Sequence, residues 1–198
     1  MPNWCYNKLI VSGDEAVLSS FEKAAVGNRQ TYNNFVGNEW AVFDEIRIAA
    51  IAATPPALGG ECSLNFHSLF PVPDSVRCMP YDRVQALEIA RRIGVPAPDI
   101  SGYDWESQNW GCKWGATSVV HLDDNGDGDL EYNFDTAWSP PIAWLEKVST
   151  DYPDLLFSLT YEEAGMGFRG SIAFEAGTVV EQIESDIMDE LSDDDDSP

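Results

Sequence analysis

Between residues 155 and 174 large apolar side chains recur at alternate positions: Leu155, Phe157, Leu159 and Tyr161, then Phe168, Ile172 and Phe174. A period of two puts each set on one face of a strand. Two half-buried strands are therefore predicted, joined through the glycine-rich stretch Gly165-Met166-Gly167-Phe168-Arg169-Gly170. Such strands need a covering layer on their apolar side, which points to a sheet packed against helices.

The rest of the chain supplies that layer. Leu9 to Ser12 reads as a short strand ending at Gly13, after which Asp14 caps a helix with Val17, Leu18, Phe21 and Ala25 on its apolar face. Residues 27–40 are rich in Asn and Gly and read as a loop, and the stretch from Val42 to Ala53 is ambiguous, its alanines favouring helix and its β-branched residues not. Leu64, Phe66, Ser68 and Phe70 alternate as a strand face, stopped by Pro71 and Pro73. Asp82 opens a second helix with Val84, Leu87, Ile89 and Ile93 as buried positions, closed by Gly94 and Pro96. Thr117–Leu122 and Leu130–Asp135 form a predicted hairpin. Ser139-Pro140 starts a third helix through Val148, and Val179, Val180, Ile183, Ile187 and Leu191 have helical spacing near the end. The expected fold class is α+β: a mostly antiparallel sheet with helices on one face, a single domain over 1–180, an insertion over 27–60, and an acidic C-terminal helix and tail over 181–198.

Charge limits the function. The chain carries 34 acidic and 11 basic residues, a formal net charge of −23. Residues 181–198 hold nine of the acids and no Lys or Arg, leaving −14 for residues 1–180. Such a surface repels phosphate backbones and anionic membranes, so direct nucleic-acid or membrane binding is excluded as an expectation. The start MPNWCYNK has no long apolar region, and the run from Ile48 to Ala53 is too short to cross a bilayer. A cytosolic protein with reduced Cys5, Cys62, Cys78 and Cys112 is expected.

Several motifs imitate known sites. The G-x-G-x-x-G at Gly165 lacks the following helix that would hold a pyrophosphate, and Glu162 and Glu163 flank it, so it reads as a turn. Asp123, Asn125, Asp127 and Asp129 imitate half of a calcium loop, but Phe134 stands where the bidentate Glu belongs. Weak calcium binding stays open there, with a polar turn as the default. No cysteine–histidine spacing suits zinc, neither His67 nor His121 has a nucleophile partner in sequence, and no cofactor is expected. Trp110, Trp114 and Trp138 sit among glycines, which suits either core packing or an exposed aromatic platform.

The segments MPNWCYNKLIVSG, SLFPVPDSV, NWGCKWGA, TAWSPP and YEEAGMGFRG occur in this order. In them the chain resembles the YubB-like ferredoxin-like proteins of bacteriophages, conjugative plasmids and other mobile elements, over most of residues 1–176. The resemblance implies a ferredoxin-like α+β domain and a mobile-element setting in a host bacterial cytosol, and it carries no catalytic assignment. With the acidic charge, it leads to an expected non-enzymatic accessory protein that binds and inhibits a basic host protein. That target is a defence or nucleic-acid-handling factor, held by acidic mimicry of nucleic acid. Two alternatives stand beside it. One is a small-ligand or nucleotide-sequestering domain built on Trp110, Trp114 and Trp138, with Lys113 and Arg169 supplying positive charge and Glu162 and Glu163 nearby. The other is a virion or assembly component.

Overall fold

The structure, a computed structural model, describes residues 2–28, 32, 61–94, 101–122 and 128–186. Strand β1 (Trp4–Gly13) leads through the Asp14 cap into α1 (Glu15–Ala25), where the Asp14 side chain accepts from the Ala16 N–H. A short pair follows, β2 (Gly27–Asn28) with β3 (Glu61–Cys62). Four helical pieces come next: α2 (Phe66–Leu69), α3 (Asp74–Arg77), α4 (Arg83–Ile93) and α5 (Gly102–Asn109). Then come β4 (Lys113–Leu122), β5 (Leu130–Ala137), α6 (Ile142–Asp151), β6 (Leu155–Glu163), β7 (Phe168–Glu175) and β8 (Thr178–Asp186).

Six strands form one antiparallel sheet in the order β4-β5-β1-β6-β7-β8. The inner set, β1-α1-β4-β5-α6-β6, has the connectivity of a ferredoxin-like domain. Helices α2 to α5 lie in the link between α1 and β4, and the β7–β8 pair extends the sheet past β6.

Strand alternation decides which residues meet the helices. Cys5, Asn7, Leu9 and Val11 of β1 are buried, while Trp4, Tyr6, Lys8 and Ile10 point to the uncovered face. Leu155, Phe157, Leu159, Tyr161 and Glu163 of β6 share the covered side. Phe21 of α1 meets Tyr132, Tyr152 and Phe157 edge-on, with ring centroids 6.4, 5.2 and 5.5 Å away. Trp144, Leu145 and Val148 of α6 complete the same core. Truncating a ring so placed costs about 3–5 kcal/mol, which makes Phe21 the pin between α1 and the sheet.

Four local expectations are corrected. Residues 64–70 are not a strand: the Asn65 side chain accepts from the Ser68 N–H and starts the single turn α2, and capping prevails over a short alternation. Helix α4 begins at its predicted cap, but Val84 and Leu87 are exposed and Ala86, Ile89 and Ala90 are buried. The Ser139 hydroxyl donates to Gly111 O at 2.6 Å instead of capping α6, whose N-cap is Pro141. The expected C-terminal helix is strand β8, so the boundary at 180 falls inside an element. Val179 pairs with Phe174 and Glu181 with Ala173, and the register shift between them leaves Val180 as an extra residue. That bulge lets an apparent helical spacing lie along the edge of β7. The calcium-like positions 123–127, residues 33–60 and residues 187–198 lie outside the described residues.

Candidate functional site

Directly opposed residues of an antiparallel pair share a face, so the register reads out the uncovered side of the sheet. One row runs Lys113, Ala137, Trp4 across β4, β5 and β1. The next runs Asp135, Tyr6, Glu162, Arg169, Ser185 across β5, β1, β6, β7 and β8. Aromatic side chains concentrate at the β4–β5–β1 end. Trp4, Trp114 and Trp138 are 46%, 43% and 41% exposed, and Tyr6 is exposed beside Trp4 on the same strand.

Lys113 organises this end. Its ammonium lies 4.5 Å from the Trp114 ring centroid, 5.7 Å from that of Trp138 and 5.7 Å from that of Tyr103. These are cation–π distances. Trp4 adjoins the group with its ring 6.5 Å from that of Trp114.

Two backbone strains hold the tryptophans in place. Trp114 has φ 71° and Trp138 φ 74°, the left-handed region that side chains other than glycine rarely adopt. The Trp114 N–H donates to Glu106 Oε2 at 2.7 Å, and the Trp138 N–H donates to Asn3 O at 3.0 Å. Glu106 is 3% exposed and also accepts from the Tyr32 hydroxyl at 2.7 Å and the Tyr81 hydroxyl at 2.9 Å. Burial pushes its carboxyl above the ordinary range, against the pull of these donors. It reaches Trp114 because the Ser101–Asp104 capping box fixes the start of α5.

The predicted site residues separate. Trp110 belongs to the core: it is 3% exposed, its Nε1 donates to Phe70 O at 3.1 Å, and its ring meets Phe66 and Trp105 edge-on. Trp114, Trp138 and Lys113 form the patch. Glu163 is buried, and its carboxylate accepts from the Gly165 N–H at 2.9 Å and the Met166 N–H at 2.6 Å, closing the β6–β7 turn. That turn is the hairpin expected of the G-x-G-x-x-G stretch. Glu162 is exposed next to Tyr6, whereas Arg169 donates from Nε to Ser185 Oγ at 3.3 Å. Arg169 stands on β7, four strands from Lys113, about 19 Å at the usual strand spacing. A nucleotide site using Lys113 and Arg169 together is therefore corrected: the sheet holds the two cations apart.

Trp4, Tyr6, Tyr103 and Glu106 escaped the sequence reading. The signal for the first two was present, since Trp4, Tyr6, Lys8 and Ile10 alternate against Cys5, Asn7, Leu9 and Val11. Trp114 also borders a cavity of about 190 Å³, together with Cys62, His67, Glu106 and Trp110. His67 Nδ1 accepts from the Val72 N–H at 3.0 Å, and burial, aided by the Arg77 charge, pushes its pKa down to about 4. All four cysteines are free thiols, and burial pushes Cys5 up to about 12. Among the described residues no cluster of three His, Cys, Asp or Glu is arranged to hold a metal, and no helix is long and apolar enough to cross a membrane.

Residues 117–197 match the family described as the ferredoxin-like domain in Api92-like protein. Over 106 residues the chain is 27% identical to protein YubB of Escherichia coli (strain K12), an alignment covering 53% of this chain and 70% of that protein. The crystal structure of protein Api92 from Yersinia pseudotuberculosis superposes with a TM-score of 0.61 at 12% identity, covering 93% of this chain and 98% of the other. At that identity the likeness is one of fold.

Proposed function

We propose, for a chain whose residues 117–197 belong to the ferredoxin-like domain of Api92-like proteins, a role by binding and without catalysis. The protein docks a basic partner protein on the Trp4, Tyr6, Trp114 and Trp138 patch and blocks the surface that partner uses for nucleic acid. One observation carries this reading: two exposed tryptophans on neighbouring segments both hold left-handed backbone around one lysine. A left-handed residue other than glycine costs roughly 1–2 kcal/mol, and half-exposed indoles give little in return within the free protein. A fold that maintains both, with a buried carboxylate committed to one of them, supports a use for the rings outside the core.

The chemistry of the partner follows from charge. Tryptophan and tyrosine are the commonest anchors of protein interfaces, surrounded by a polar rim. Here Asp135 and Glu162 flank Tyr6 in the register, on a chain of net charge −23. The same long-range field that attracts DNA-binding proteins to phosphate would steer such a protein to this surface. A host defence or nucleic-acid-handling factor is the form of partner this supports.

The test compares the wild-type protein with the Trp4→Ala/Trp138→Ala double variant, each immobilised and exposed to bacterial lysate at low and high salt. Basic nucleic-acid-binding proteins should be retained by wild type at low salt, released by added duplex DNA, and lost from the variant. Recovery of the same proteins by both, or of no basic protein at low salt, overturns the reading.

A further inference from the structure

We infer that β8 is a docking edge, onto which an extended, basic segment of a partner protein adds as a further strand of the sheet. β8 ends the strand order and pairs with β7 alone among the described residues. Every side chain over 178–185 is exposed, Val180 and Ile183 being more than half exposed at 52% and 57%. An edge of this kind presents a row of backbone donors and acceptors, and proteins ordinarily protect it with lysine, proline, bulges or a covering element.

The other edge shows what protection looks like. β4 has two register shifts against β5 and left-handed backbone at Trp114, Gly115 and Ser118. No regular ladder fits there. β8 has a single bulge at Val180, and the segment TVVEQIESD contains neither Lys nor Pro. From Glu181 onward its register with β7 is continuous.

Charge selects the occupant. Glu181 and Glu184 are both exposed on β8, and Asp189, Glu190 and Asp193 to Asp196 follow in the sequence. A second copy would bring the same acids together on two chains of net charge −23. Glu181 and Ile183 share one face of β8 and Glu184 stands on the other, so a strand with a basic side chain opposite each glutamate and an apolar one opposite Ile183 meets all three. In strand addition the main-chain ladder supplies affinity and the alternate side chains supply specificity. β8 lies at the opposite edge of the sheet from β4, so this inference stands apart from the role given to the tryptophan patch.

The probe is a fluorescent peptide matched to β8 in length, with Lys placed to oppose Glu181 and Glu184 and Val to oppose Ile183, titrated at low salt into the full chain. Amide hydrogen exchange is followed in parallel. Binding should slow exchange across 178–186, weaken about tenfold or more in Ile183→Lys and in Glu181→Lys/Glu184→Lys, and persist in Trp4→Ala. Thermal melts of the two edge variants close to wild type would show that the fold survives. Unchanged exchange across 178–186 at saturating peptide, or equal binding by the charge-reversed variant, overturns the inference. Concentration-dependent protection of the same amides without peptide assigns the edge to a second copy, and also overturns it.

Discussion

The backbone N–H of Trp114 donates to the Glu106 carboxylate at 2.7 Å, so an exposed ring on β4 is tethered from inside the protein. The same carboxylate collects Tyr32 and Tyr81, tying chain segments far apart in sequence to one pair of oxygens. Glu106→Gln keeps the shape but turns one acceptor into a donor facing other donors. It should lower stability by about 1–3 kcal/mol, read as a depressed midpoint in thermal unfolding followed by circular dichroism. The variant should also retain less of the basic partner, because Trp114 loses its tether.

Stability should respond to acid through His67. Its folded pKa is about 4 against an ordinary 6.5, so the unfolded chain binds the proton first. The contribution is complete above about pH 6.5 and is lost as pH falls toward 4. Denaturant unfolding across that range should show a shallower decline in His67→Gln than in wild type. Glu106 acts in the opposite sense. Its raised carboxyl titrates above the unfolded value, so its contribution is greatest below that value and declines as pH rises past it.

Trp138→Gly separates strain from use. Glycine adopts φ 74° freely, which returns about 1–2 kcal/mol and offsets the packing that a half-exposed ring supplies. The melting temperature should stay within a few degrees of wild type while partner retention in the lysate experiment falls sharply. A large loss of stability would make Trp138 a packing residue instead.

Adjacent glutamates should behave differently. Glu163→Ala removes the acceptor for two turn N–H groups in a buried position and should cost about 1–3 kcal/mol. Glu162→Ala, exposed on the other face, should change stability by less than about 0.5 kcal/mol. Paired urea titrations check both values.

Thiol reactivity should be selective. Cys5, Cys78 and Cys112 are buried, with their thiols pushed up by desolvation, and Cys62 is only partly buried. A thiol-specific chromogenic reagent should label Cys62 first in the native protein and release the other three on unfolding.

The alternation at Leu155–Tyr161 located β6 correctly, because burial on one face repeats along the whole strand and no local motif competes with it. Asp14 and Asp82 located two helix starts for a similarly local reason, a side chain accepting from a backbone N–H a few residues ahead. Phe66 misled because its neighbours alternate by chance, and only the Asn65 cap reveals a turn. The patch was half legible. Trp114 and Trp138 stood out as residues, but their exposure depends on left-handed backbone held by Glu106 and Asn3, hydrogen bonds that no spacing encodes. The separation of Lys113 from Arg169 depends on strand order, which appears only when the sheet is assembled.

The placement of β1 between β5 and β6 has a consequence for synthesis. The first strand leaves the ribosome with no neighbour, and both flanking strands are encoded more than a hundred residues later. At about 5–20 residues per second that interval lasts on the order of ten seconds. Throughout it Trp4 and Leu9 are accessible to other nascent chains, and the sheet cannot close from its N-terminal end. The segment encoded between β1 and β5 is itself net negative, and like charge opposes association between unfinished chains.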